Sequence, residues 1–129
     1  MVSKHPIVPE RVRKVPRQFS WIDHRLVRDR HIERIGHPAA ALYLFLVTVA
    51  DAAGLSYYSD RSICRRLAMD PSILQQSRAA LTAAGLIAWQ TPLYQVLSLD
   101  PPPRPVPANA AGGLWQLGDI LKAAAGGGP

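Results

Sequence analysis

The chain has 129 residues, enough for one domain with tails, and nearly half of them are apolar at a mean hydropathy of +0.01, as in ordinary soluble globular proteins. No run approaches the ~20 apolar residues that span a bilayer; a single cysteine, Cys64, rules out an internal disulfide; and Met-Val-Ser-Lys-His-Pro lacks the apolar stretch of a signal peptide, so a cytoplasmic, membrane-free protein is expected. The formal net charge of +6 is unevenly spread: residues 1–34 hold nine cations against four anions, residues 35–99 four against three, and the last thirty residues two against two.

Residues 1–18 contain Pro6, Pro9 and Pro16 among basic residues. Proline fixes φ and donates no backbone hydrogen bond, which predicts an extended basic arm. Phe19 and Trp21 then bring apolar mass, expected where the arm docks on a domain covering residues 19–99. Asp23 is a good N-cap for a helix carrying Leu26, Val27 and Ile35 and ending at Gly36. His37-Pro38 places proline at the first position of a second helix, which continues to about Asp51. Its apolar residues occupy nearly every face, so it is expected at the centre of the core. Ala52-Ala53-Gly54 closes it, and Leu55-Ser56-Tyr57-Tyr58 is a short β-type run.

Ser59 or Asp60 can cap the next helix, with Ile63, Cys64, Leu67 and Ala68 on one face. Asp70-Pro71 supplies the cap and first residue of another, running through Leu74, Ser77, Leu81 and Ala84 to Gly85. Leu86–Trp89 and Leu93–Leu99 flank Gln90-Thr91-Pro92 as a hairpin. After Asp100, Pro-Pro-Pro-Arg-Pro-Val-Pro begins a Pro/Ala/Gly-rich tail, 100–129, expected to be flexible, with a short amphipathic segment at 114–122. The predicted class is mainly α with a small β-hairpin.

The order helix, short strand, helix, tight turn, helix and hairpin has a mechanical meaning. One helix can brace the DNA backbone while the next lies in the major groove, whose width accepts an α-helix. Ser62-Ile63-Cys64-Arg65-Arg66-Leu67-Ala68 resembles the second helix of winged helix-turn-helix proteins. Pro71-Ser72-Ile73-Leu74, followed by Arg78-Ala79-Ala80-Leu81-Thr82-Ala83-Ala84-Gly85-Leu86-Ile87, is similar to their recognition helix and its run into the wing. The MarR, GntR and plasmid replication-initiator groups share this pattern, which covers residues 38–99. The stretches Phe19-Ser20-Trp21-Ile22-Asp23-His24-Arg25 and Tyr94-Gln95-Val96-Leu97-Ser98-Leu99 also resemble small winged-helix proteins of bacterial mobile elements. The chain departs from GntR regulators in lacking an effector domain, and from replication initiators in lacking a second winged domain.

Placing residues ~100° apart with Leu74 at zero puts Ser77, Leu81, Ala84 and Ile73 inward. Ser72, Gln75, Gln76, Ala79, Thr82 and Ala83 fall outward, and Arg78 reads as a flank residue able to reach a phosphate. A glutamine amide can bond bidentately to adenine, so Gln75 and Gln76 are candidate base readers; as exposed glutamines they are also simply good helix formers. Ser72 suits a phosphate or a base edge, and small Ala79 permits close approach. Arg61, Arg65 and Arg66 either clamp phosphates or line a solvated face. Arg11, Arg13, Lys14 and Arg17 suit an adjacent minor groove or a solvated tail. The hairpin tip, Gln90-Thr91-Pro92, is uncharged and adds little.

His5, His24, His31 and His37 lack helical ligand spacing and Cys64 lacks a partner cysteine, so no metal or other cofactor is expected. No nucleophile–base pair can be assembled, and Asp60 and Asp70 read as caps; the chain is not expected to be an enzyme. Leu114, Leu117 and Leu121, with Trp115 beside them, form an apolar helical face suited to a protein partner or a second copy. The function expected is double-stranded DNA binding, as a transcriptional regulator or an accessory of a mobile element. The alternatives are a protein–protein adaptor and a targeting subunit of a replication or transposition complex.

Overall fold

A computed structural model describes residues 4–100. Its elements are α1 (Arg25–Arg28), α2 (His37–Val49), β1 (Leu55–Tyr57), α3 (Asp60–Leu67), α4 (Pro71–Ala83), β2 (Ile87–Gln90) and β3 (Leu93–Val96). The three longer helices, α2, α3 and α4, and a three-stranded antiparallel sheet in the order β1-β3-β2 make a mainly helical domain. The sheet register sets Ser56 and Trp89 on either side of Tyr94.

The sequence punctuation explains most boundaries. Gly36 precedes α2 at φ 82°, a backbone region that disfavours side chains. Pro38 occupies the second position of α2, one residue later than expected. Ser59 caps α3 by accepting the Ser62 N–H at 3.1 Å. Asp70 holds the N-cap position of α4 in an extended conformation, but its side chain makes no capping bond, and Pro71 is first in the helix. At the other end of α4, Gly85 adopts φ 75°; its N–H donates to the Thr82 carbonyl and that of Leu86 to the Leu81 carbonyl, closing the helix in a Schellman motif.

The core forms between α2, α3, α4 and the sheet. In α2, Ala39, Leu42, Tyr43 and Leu46 are buried at helical spacing, while Ala41 and Leu44 face solvent, so one stripe rather than the whole circumference is internal. These join Ile63, Leu74, Leu81, Leu86, Ile87 and Tyr94, and Phe45 meets Tyr58 edge to face at 5.0 Å.

The region before α2 departs from expectation. The single helix predicted from Asp23 to Gly36 is only the four-residue α1, followed by a 3₁₀ turn at Ile32–Arg34. Arg30, at φ 64°, breaks it. Leu26 and Ile35 are buried but Val27 is exposed, leaving too narrow an apolar stripe for a continuous helix. Asp23 accepts from the Arg25 backbone and guanidinium, with the shortest contact 2.6 Å, and this side-chain bond holds its carboxyl at about 2. Phe19 and Trp21 also differ from expectation, being 62% and 74% exposed rather than docked. In the arm, Pro9–Arg11 forms one 3₁₀ turn. Strand β3 ends at Val96, shorter than the apolar run to Leu99: the Leu97 N–H still donates to the Leu86 carbonyl opposite it, but the Leu86 N–H is taken by the Leu81 carbonyl at the end of α4 and returns no bond to β3.

Gly54 lies at φ 84° between α2 and β1, where Asp51 Oδ1 accepts the N–H groups of Ala53 and Leu55. A Cβ at Gly54 would sit 2.7 Å from the Val96 carbonyl oxygen, the same strand residue whose N–H donates to the Gly54 carbonyl. Gly54→Ala is therefore expected to cost about 2 kcal/mol or more, from the positive φ and the backbone clash together, read as a lower urea midpoint.

Candidate nucleic-acid interface

The turn Ala68–Asp70 joins α3 to α4. Ala68 takes the left-handed conformation at φ 52°, and the Met69 N–H donates to the Cys64 carbonyl. The reversal sets Ile63 of α3 and Leu74 of α4 in one core, so the opposite sides of both helices face water.

On α4, Ser72, Gln75, Gln76, Ala79, Thr82 and Ala83 are exposed, the face expected from the helical wheel, together with Pro71 at the helix start. It carries no charge, and Thr82 turns its hydroxyl back to the Arg78 carbonyl at 2.8 Å. On α3, Arg61, Arg65 and Arg66 are exposed, and none makes an ion pair among the described residues. Arg11, Arg13, Lys14 and Arg17 are likewise exposed along the arm. Elsewhere, the pairs Arg28–Asp29 and Arg30–Glu33 are long and solvated, at 3.5 and 3.9 Å, and contribute little.

Arg78 belongs to a different set. The expectation of a flanking phosphate ligand does not match its position: it is only 7% exposed. Its Nη1 donates to Asp60 Oδ1 and to the Tyr94 hydroxyl, each at 2.8 Å, and its guanidinium carbon lies 3.7 Å from the centre of the Trp89 ring. Asp60 is thus the anion that balances this buried cation, while Ser59 does the capping. Burial alone would lower the Arg78 pKa, but the bonds to Asp60 and Tyr94 outweigh it and leave the pKa raised. Burial raises that of Tyr94 against the opposing influence of Arg78. The network joins α3, α4 and both hairpin strands, so it fixes how α4 sits against the sheet.

Sequence reasoning missed this network, although one signal was present. Leu74, Ser77, Arg78 and Leu81 follow the i, i+3, i+4, i+7 spacing of a buried stripe. Among the described residues, no three His, Cys, Asp or Glu side chains cluster as metal ligands, and no helix is long and apolar enough to cross a membrane. Leu114, Trp115, Leu117 and Leu121 lie outside the described residues. In comparisons with known proteins, the chain matches no family model, no curated protein and no solved structure.

Proposed function

We propose that this domain is a winged helix-turn-helix that binds double-stranded DNA, with α4 in the major groove and the β2–β3 hairpin as the wing. The observation that carries the reading is the uncharged, exposed face of α4 beside the arginine-bearing α3. Gln75 and Gln76 read base edges, Ser72 bonds a phosphate or base edge at the helix start, and Ala79 lets the helix approach. Arg61, Arg65 and Arg66 neutralise phosphates beside the groove, and Arg11, Arg13, Lys14 and Arg17 extend that neutralisation along the duplex. Arg78 acts inside the domain, keeping α4 and the wing at a fixed angle. Binding of this kind serves transcriptional regulation or an accessory role in a mobile element, and needs no catalysis.

The test is fluorescence anisotropy with a labelled random 30-base-pair duplex over a salt series, followed by selection of a preferred site. Neutralising about five to eight phosphates gives a log–log salt slope of about −4.5 to −7. Gln75→Ala/Gln76→Ala is expected to lower the preference for the selected site over random duplex by about 1–3 kcal/mol for each bidentate pair removed, with the salt slope unchanged. No binding at low salt would sink the proposal.

A further inference from the structure

The α4 face does not account for Phe19 and Trp21. Both are large, both are mostly exposed, and neither packs against the core cluster. They are nevertheless not adrift, because Ser20 between them donates its hydroxyl to the Thr48 carbonyl, at 3.3 Å, in the last turn of α2. Two rings are therefore presented to solvent from an anchored point at the edge of the domain. Immediately before them come Arg11, Arg13, Lys14 and Arg17, all exposed.

Charge decides what covers such rings. In a two-fold dimer, the same patch from each copy would face its like. Residues 1–34 carry nine cations against four anions, so that arrangement would set two net-positive surfaces together. A polyanion with flat apolar faces satisfies both features, and unpaired nucleotides have that chemistry: phosphates for the cations, and base faces for the rings. Residues two apart are at most about 7 Å from each other along the chain, close enough for Phe19 and Trp21 to take bases from one short strand.

We propose that residues 11–21 form a binding site for single-stranded nucleic acid, in which Phe19 and Trp21 stack on unpaired bases and Arg11, Arg13, Lys14 and Arg17 hold the adjoining phosphates. The site shares these cations with the duplex reading but uses none of the residues of α4. The arm would then engage either duplex phosphates or an unpaired strand, while α3 and α4 keep their own contacts.

The experiment titrates the full chain with labelled oligo(dT) of about 15 nucleotides, the span of one single-strand site, at low salt, following probe anisotropy and tryptophan emission. Wild type is expected to bind with quenching of emission. Phe19→Ala/Trp21→Ala should weaken binding about 30-fold or more, since each stack removed is worth roughly fivefold or above. Trp21→Phe should keep most of the affinity and lose much of the quenching. Because both rings lie outside the core, circular dichroism and the melting temperature of the double variant should match wild type. Failure of wild type to bind oligo(dT), or unchanged affinity in the double variant, overturns the proposal. So does a double variant that binds oligo(dT) normally but sediments as a monomer where wild type is a dimer, which would make the rings a contact between copies. The preference for selected over random duplex, compared in parallel between wild type and Gln75→Ala/Gln76→Ala, separates failure of this site from failure of the α4 reading.

Discussion

Arg78→Met is expected to destabilise the domain by about 2–4 kcal/mol, lowering the melting temperature by roughly 10–25 °C for a domain of this size. Methionine fills similar volume without charge, so the effect comes from the polar network rather than from a cavity. Two 2.8 Å bonds disappear, the buried Tyr94 hydroxyl is left without its partner, and the cation leaves the Trp89 face. A hydrogen bond to a charged group contributes about 1.5–3 kcal/mol and an orphaned buried hydroxyl costs about 1–3 kcal/mol; the interaction with the ring adds about 0.5–2 kcal/mol. Against these stand the recovered desolvation cost of the guanidinium and the half-exposed Asp60, which water takes back readily. Arg78→Lys should recover little, because an ammonium has no planar fork to bridge Asp60 and Tyr94 while lying over Trp89. Urea unfolding followed by circular dichroism checks both variants. A destabilisation under about 0.5 kcal/mol for Arg78→Met, well short of one hydrogen bond to a charged group, would mean that the network adds nothing to holding α4 against the sheet.

The same residue shows where sequence reasoning reached its limit. On the wheel centred on Leu74, Arg78 falls about 40° away, nearer the buried axis than Ser77. Position therefore placed it inside, while chemical type suggested the surface, and only the fold supplies the Asp60 carboxylate and Tyr94 hydroxyl that make burial tolerable. By contrast, the order of α2, β1, α3, α4 and the hairpin was legible, because Gly36, Ser59, Asp70-Pro71 and Gly85 act locally, through backbone conformation and caps. The stretch before α2 was not. Its apolar residues are too few to impose a period, so tertiary packing chose Leu26 and Ile35 for the core and left Val27, Phe19 and Trp21 outside. Apolar bulk alone does not say whether a ring packs inward or is offered to a ligand. The exposed face of α4 was readable because Leu74 and Leu81 fix its opposite side.

Removing the arm's charge should have the largest effect on binding. With Arg11, Arg13, Lys14 and Arg17 all changed to alanine, the salt slope on random duplex is expected to fall by about 3 to 4, at roughly 0.9 for each phosphate no longer neutralised. Each released counterion is worth about fivefold in affinity at ~0.15 M salt, so four together correspond to about 10²–10³-fold weaker binding. All four side chains are exposed on a segment with no place in the core, so the fold should be untouched. Phosphate neutralisation carries no base information, and the preference for a selected site over random duplex should survive the change. That pattern is the reverse of the one expected for Gln75 and Gln76, and the pair of variants separates affinity from readout. A slope unchanged from wild type would show that the arm is a solvated tail and return the electrostatic work to Arg61, Arg65 and Arg66 alone.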